Sequence, residues 1–188
     1  MINLNLPKEP FRLIAFDPGS TSLGCCLLKK DLDKETIEVE TVYTVTLRDT
    51  HPNYKALKDY HSSKVIRLLI LRDTVAEFIN EHKPHAVIVE GNYLGRFAAS
   101  FAALVECVAI IRSVLYDYNK FLPLYLVDPT TVKKDIGMVR IRGTDKEDVR
   151  KALMALEDID WGMINPDELD EHSIDSVAVG YHYFTKLL

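Results

Sequence analysis

The chain has 188 residues, of which 47% are hydrophobic and 27% charged, with 8 Gly and 8 Pro. This length and composition are typical of one compact domain and argue against a disordered or fibrous protein. We therefore expect residues 1–188 to form a single domain. The three cysteines suggest no disulfide framework and lack the spacing of a zinc site, which favours a reducing, cytoplasmic compartment.

Neither a secretory signal nor a membrane span is predicted. Residues 1–12 lack a basic segment followed by an apolar one. The longest apolar stretch, residues 97–111, is interrupted by Ser100 and Glu106. We therefore expect no membrane partner.

The charge is unevenly distributed, although the net value is only −5. Residues 157–175 contain eight acidic residues and no Lys or Arg, so the rest of the chain carries +3. Residues 133–151 contain seven basic residues against four acidic ones. An acidic patch beside a basic one suits a cation site flanked by a phosphate-binding surface. Two solvated helix faces of opposite charge would give the same pattern.

Three strand-like segments come first. Residues 11–16 form a short apolar run that ends at the turn Asp17-Pro18-Gly19-Ser20. Residues 23–28 are again apolar, and residues 36–47 are rich in Val and Thr with partial alternation. Because the links between these segments are short, they predict an antiparallel meander.

The rest of the chain alternates between helical and strand-like patterns. Two of the later strands each follow a helix, which is typical of strands that lie parallel in a sheet. We therefore predict a mixed α/β fold. Its five-stranded sheet would combine the three-strand antiparallel meander with two parallel strands, with helices on both faces. The predicted helices are 62–82, 97–118, a short one through Lys134, 146–157 and 169–185, and the two further strands are 85–89 and 122–127.

Two acidic residues stand at the ends of apolar strands. Asp17 follows the first strand and Glu90 follows the fourth. If these strands are adjacent and parallel, both carboxylates reach the edge of the sheet where ligands of α/β proteins gather. Taken singly, Asp17 could be a turn residue before Pro-Gly and Glu90 a solvated strand end.

A second pair of polar residues opens the last helix. His172 and Asp175 are three residues apart and share one helix face. Asp175 precedes an apolar run, where a carboxylate is costly unless it is paired or binds a metal. A solvated first turn that favours the helix dipole is the alternative. Oxygen ligands with one imidazole suit Mg²⁺ or Mn²⁺.

No serine elbow, Walker loop or GxGxxG sequence occurs, so we expect no nucleotide cofactor.

Four segments, in order, resemble the RuvC-type Holliday junction resolvases of the RNase H-like superfamily. IAFDPGSTSLGCCLL is similar to the first two strands of that family, and HAVIVEGNYLGR to its fourth strand and following loop. VDPTTVKKDIGMVRIRGTDKEDVRKAL resembles its DNA-facing basic segment, and HSIDSVAVG the helix that closes the active site. The resemblance therefore implies an RNase H-like fold.

The same resemblance implies an Mg²⁺-dependent endonuclease, with Mn²⁺ as substitute. It would resolve four-way DNA junctions by symmetric hydrolysis, leaving 5′-phosphate and 3′-hydroxyl ends. Asp17, Glu90, His172 and Asp175 would hold two ions per active site. Many members of the family have an aspartate where His172 stands, so Glu171 is an alternative ligand.

Four-way branched DNA and a second copy of the chain are the implied partners. Tyr93 would stack at the junction, and a homodimer would place two sites about a dyad. The alanine-rich helix that begins near residue 97 could form the subunit contact, or could pack on its own sheet. The other DNA-binding candidates are Arg96, Lys133, Lys134, Arg140, Arg142 and Lys146.

Other functions remain open. The chain could be an RNase H-like nuclease acting on structured RNA or other branched DNA, or an inactive junction-binding module. An actin-like ATPase is a weaker possibility, because 188 residues leave little room for a second lobe. A resolvase of this size would work in a bacterial cytoplasm, or in the host cytoplasm if a phage encodes it.

Overall fold

A computed structural model describes residues 9–91, 98–138 and 147–188. Lys133 and Lys134, among the predicted DNA-binding residues, lie within these ranges. The remaining five, Tyr93, Arg96, Arg140, Arg142 and Lys146, lie outside the described residues.

One mixed sheet forms the centre of the described fold. Its strands are β1 (Phe11–Pro18), β2 (Ser22–Lys30), β3 (Ile37–Thr46), β4 (Ala86–Glu90), β5 (Leu124–Val127) and β6 (Ile159–Asp160). They lie in the order β5-β4-β1-β2-β3-β6. β1, β2 and β3 are antiparallel neighbours, whereas β4 is parallel to both β1 and β5. The predicted meander with two parallel strands is thus confirmed.

The sixth strand extends the sheet beyond the five that were predicted. β6 pairs in parallel with the start of β3, where Ile37 lies opposite Ile159. The Ile37 amide also donates to the carbonyl of Asp158 at 2.7 Å. A strand of two residues is too short to carry an alternating pattern, which is why the sequence does not reveal it.

Within the described ranges, five helices connect and cover the strands. Ser62 caps the first of them, since its Oγ accepts from the amide of Val65. Lys83 ends the same helix in the left-handed region, directly before Pro84. The helices are α1 (Ser63–His82), α2 (Ala98–Asn119), α3 (Pro129–Asp135), α4 (Glu147–Met154) and α5 (Glu171–Lys186), with 3₁₀ segments at Pro52–Asp59 and Pro166–Glu168.

The sheet has a core on each face because side chains alternate along its strands. Ile14 and Phe16 of β1 face a core shared with α1 and α2. Leu13 and Ala15 face the other core, which α3, α4 and α5 complete. Helices on both faces were predicted, and this prediction is confirmed.

The α2 helix is long and apolar enough to cross a membrane, although 28% of that apolar stretch is buried in the fold. No membrane span was predicted because Ser100 and Glu106 interrupt the apolar stretch, but its mean hydropathy stays high enough despite these two residues. Cys107, Val108 and Ile111 of α2 belong to the core that packs on the sheet. Length and composition give the same result for a core helix and for a membrane span.

The carboxyl ends of β1, β3, β4 and β5 all lie at the same edge of the sheet, because these four strands run in one direction. We call this edge the carboxyl edge. The turn after β1, the residues after β3 and the start of α3 all lie there. In open α/β sheets this is the position where ligands bind.

Candidate active site

Asp17 and Glu90 occupy matching positions on adjacent parallel strands. Phe16 of β1 lies opposite Val89 of β4, so the next residue of each strand is one of the two acids. Neighbouring strands are about 4.8 Å apart, which brings the two backbones close at the carboxyl edge. Asp17 is only 7% exposed despite its charge.

His172, from the start of α5, lies between Asp17 and Ser22. Its Nδ1 is 2.6 Å from Asp17 Oδ2, and its Nε2 is 2.6 Å from Ser22 Oγ. The hydrogen bond to Asp17 raises the pKa of His172, while partial burial acts in the opposite direction. Through its two ring nitrogens, the imidazole therefore joins β1, the start of β2 and α5.

A glycine lets α5 approach the sheet this closely. Gly24 of β2 lies opposite Asp17, and a Cβ built on it would be 2.1 Å from the carbonyl oxygen of His172. Any side chain at this position would displace the helix backbone from the strand. The position of His172 thus depends on Gly24 as well as on its own hydrogen bonds.

A hydrogen-bonded cap also fixes the start of α5. Asp170 accepts from the amide of Ser173 at 2.9 Å and from Thr44 Oγ1 of β3 at 2.5 Å. These hydrogen bonds lower the pKa of Asp170, against the effect of its burial. Asp170 therefore stays ionised and ties the first turn of α5 to the sheet.

Negative charge accumulates around Glu90. Burial, together with the carboxylates of Asp17 and Asp175, raises the pKa of Glu90 to about 8, although Lys133 and His172 act in the opposite direction. Charges of side chains from β1, β4, α3 and α5 therefore act on one another at the carboxyl edge. Without a bound cation, Glu90 is largely protonated at neutral pH.

Lys133 reaches this site from α3. Asp128 starts that helix by accepting hydrogen bonds from the amides of Thr130 and Thr131, both at 3.0 Å. Asp135, at the end of α3, lies 2.6 Å from Nδ1 of His182 on α5. Lys133 and Lys134, which lie between Asp128 and Asp135 in the sequence, are exposed. Both ends of this short basic helix are thus held in place.

The donor set fits a divalent cation by its chemistry, since the carboxylates of Asp17, Glu90 and Asp175 offer the oxygen ligands that Mg²⁺ and Mn²⁺ prefer. Their mutual repulsion in a buried setting is what a bound cation relieves. As placed, however, no three His, Cys, Asp or Glu side chains within the described ranges are arranged to hold one ion. Asp17 is instead paired with His172.

Glu171, the alternative ligand, also lies near the imidazole. Its Oε1 is 3.8 Å from His172 Nε2. Sequence reasoning missed Ser22, Thr44 and Asp170, whose partners come from segments more than 100 residues away. A turn rich in hydroxyl groups after Asp17 was the only local signal for Ser22.

The sequence matches no protein-family model and no curated protein. Solved structures are similar in fold. RuvC of Thermus thermophilus in complex with a Holliday junction has a TM-score of 0.62 at 17% identity, over 94% of this chain and 97% of that chain. The fold is that of RuvC.

Two other resolvases are similar over most of their length. The yeast mitochondrial Holliday junction resolvase has a TM-score of 0.60 at 12% identity, over 90% of this chain and 75% of that chain. The fowlpox virus resolvase, bound to Holliday junction DNA, has a TM-score of 0.59 at 14% identity, over 95% and 99%. The RNase H-like fold implied by the sequence resemblance is therefore confirmed.

Proposed function

We propose that the protein is a structure-selective endonuclease that resolves four-way DNA junctions with the help of divalent cations. The observation that supports this proposal is the position of Asp17 and Glu90, one residue past paired residues of adjacent parallel strands, with His172 of α5 2.6 Å from Asp17. The carboxylate of Asp175 also raises the pKa of Glu90. The fold shared with junction resolvases supports the choice of substrate.

In this proposal the side chains of Asp17, Glu90, His172 and Asp175 hold two Mg²⁺ ions, for which Mn²⁺ can substitute. When bound, such ions lower the pKa of an attacking water and place positive charge beside the leaving 3′ oxygen. Glu90 must lose its proton to act as a ligand, because only the carboxylate form binds metal well. His172 and Ser22 orient Asp17 beside it.

The exposed lysines of α3 contact phosphates near the site. The Lys133 ammonium lies close enough for its charge to act on Glu90, so a phosphate held by Lys133 sits beside the carboxylates. From the sequence resemblance, we assign further phosphate contacts to Lys134, Arg140, Arg142 and Lys146, and contacts at the crossover to Arg96 and Tyr93. Contacts to phosphate read no sequence, which suits an enzyme that recognises a branch.

Symmetric cleavage requires two active sites related by a dyad, and hence a homodimer. We place the subunit contact on α2, whose first turns are rich in alanine. Ala98, Ala99 and Ala102 are exposed, and Val105 is 40% exposed. Such a small-surfaced, apolar helix permits close approach of a second copy.

The deciding experiment is incubation of the protein with a synthetic immobile four-way junction, with and without Mg²⁺. We expect paired nicks at symmetric positions that DNA ligase can reseal, which requires 5′-phosphate and 3′-hydroxyl ends. Asp17→Asn should lower the rate about 10³-fold or more through lost cation binding, yet still bind the junction. Cleavage of structured RNA, equal nicking of linear duplex, or binding without cleavage would each contradict the proposal.

A further inference from the structure

Residues 48–62 connect β3 to α1 and lie beside the site without belonging to it. We call them the β3–α1 segment. Leu47, just before the segment, donates from its amide to the carbonyl of Thr21 at 2.8 Å. The chain therefore leaves the sheet next to Thr21, just before Ser22 starts β2. The segment ends at Ser62, the cap of α1. Both ends lie at the carboxyl edge.

The inner side of this segment is firmly anchored. Tyr54 donates from its hydroxyl to Asp73 of α1. Tyr54 and Leu57 also pack, partly buried, against the core beneath α1 and α2. Asp49 accepts a hydrogen bond from Ser63 at 2.7 Å and lies 3.2 Å from Lys58. These contacts hold the segment in one conformation on the end of α1.

The outer side of the segment presents an exposed aromatic ring. Tyr60 is 81% exposed, although its amide is fixed by donating to the carbonyl of Leu57 at 3.1 Å. Arg48, Lys55 and His61 are exposed in the same segment, as is the acidic Asp59 that precedes Tyr60. An anchored backbone therefore offers a large apolar ring to solvent, where it stabilises nothing in the fold.

An exposed aromatic ring and exposed cations on one segment are a combination that binds unpaired nucleotides, because every base can stack and every nucleotide carries a phosphate. We propose that the β3–α1 segment is a second DNA-contact surface. In it, Tyr60 stacks on an unstacked base at the branch, and Arg48 and Lys55 contact phosphates. This inference rests on the proposed function and adds a contact surface on the α1 side of the site.

The test compares Tyr60→Ala with Tyr60→Phe in equilibrium binding to a four-way junction and to linear duplex, without divalent metal. We expect the alanine variant to bind the junction about tenfold more weakly and duplex within about twofold of wild type. The phenylalanine variant should keep wild-type affinity because it retains the ring. With 2-aminopurine at the crossover, the Tyr60→Ala complex should fluoresce more strongly than the wild-type complex.

A matched control exists at the opposite edge of the sheet. Phe121 is 84% exposed and lies between α2 and β5. It therefore precedes the amino end of β5, whereas the site lies at the carboxyl ends of the strands. Phe121→Ala should leave junction binding unchanged. Replacing Arg48 and Lys55 by Gln should reduce the slope of log affinity against log salt by about two.

The outcomes separate this inference from the proposed function. Equal junction binding by Tyr60→Ala, Phe121→Ala and wild type would overturn the stacking role of Tyr60 while leaving the nuclease proposal intact. An unchanged salt slope would remove Arg48 and Lys55 from the surface. A wild-type protein that binds junctions no better than duplex would defeat both proposals.

Discussion

At the residue scale, the most informative group is Glu90, because its proton and a cation compete for the same carboxylate. Burial and the neighbouring acids Asp17 and Asp175 raise its pKa to about 8. A carboxyl group that stays protonated at neutral pH is costly to ionise and gains much from a nearby divalent charge. Cation binding at this site should therefore release a proton and tighten as the pH rises.

This reasoning predicts the effect of Glu90→Gln on the pH dependence of stability. The folded pKa near 8 exceeds the ordinary value of 4.5, so the folded state holds an extra proton between these values. The extra proton on Glu90 stabilises the folded state. This contribution to the free energy of unfolding is fully present below about pH 4.5 and is lost as the pH rises towards 8. Without divalent metal, the free energy of unfolding of wild type should therefore fall relative to that of Glu90→Gln as the pH rises from about 4.5 to 8. The slope should be at most about 1.4 kcal/mol per pH unit.

Urea denaturation at pH 5, 6.5 and 8, in the presence of a chelator, measures this difference. The exposed Glu38 of β3 provides the control, and Glu38→Gln should follow the wild-type profile. His172 is present in all three proteins, so its own titration largely cancels. Parallel profiles for wild type and Glu90→Gln would contradict the electrostatic picture of the site.

The proposed metal ligands were easier to predict than the residues that fix their side chains by hydrogen bonds. Asp17 and Glu90 follow apolar strands, and the register of β1 and β4 meets the condition that those strands are adjacent and parallel. Ser22 could not be assigned to His172 from the sequence, because 150 residues separate them. Whether all four predicted ligands bind the same ions stays a prediction.

At the element scale, the basic helix α3 depends on one buried pair. Asp135 and His182 are 2.6 Å apart, with side chains 14% and 8% exposed. This pair joins α3 to α5, and α5 also carries His172 and Asp175. Removing one partner leaves the other buried without its hydrogen bond, which costs about 1–3 kcal/mol.

We therefore expect His182→Asn to lower the free energy of unfolding by about 1–3 kcal/mol, measured by urea denaturation. Lys186 offers a matched control, since its Nζ lies 4.0 Å from the same Asp135 but its side chain is 50% exposed. Lys186→Ala should change stability by less than about 0.5 kcal/mol. Equal losses in both variants would show that the buried pair has no special role.

Long elements were predictable because their patterns repeat, and short ones were not. The helix over 62–82 was predicted from its apolar spacing and its serine cap, and α1 confirms it. The two-residue strand β6 and the 3₁₀ segment Pro52–Asp59 carry no periodic signal of their own. Tertiary contacts such as the one between Tyr54 and Asp73 fix the latter.

At the scale of the whole molecule, the proposed function makes α2 the link between the oligomeric state and the pattern of cleavage. The exposed small residues at its start lie near the carboxyl edge, so a contact there would hold two active sites in a fixed relation. A monomer would keep the metal-binding residues yet lose the coordination of two cuts.

Ala102→Glu should therefore dissociate the dimer and convert paired cuts into single nicks. The reason is that a buried, unpaired carboxylate at an apolar contact is strongly unfavourable. Sedimentation equilibrium measures the mass, and a cruciform plasmid distinguishes nicked from linear products. Leu32→Glu is the control, because Leu32 is 59% exposed in the β2–β3 turn, away from α2. A dimeric Ala102→Glu protein would place the subunit contact elsewhere.

The contact between Gly24 and His172 has a consequence for how this protein tolerates mutation. Gly24 has no side chain that could bind a ligand or react, but even a methyl group there would collide with the carbonyl oxygen of His172. In a saturation screen for activity, we expect Gly24 to reject all nineteen replacements as completely as Asp17 does. Loss of function at Gly24 would accompany misplacement of α5, whereas loss at Asp17 would leave the architecture intact.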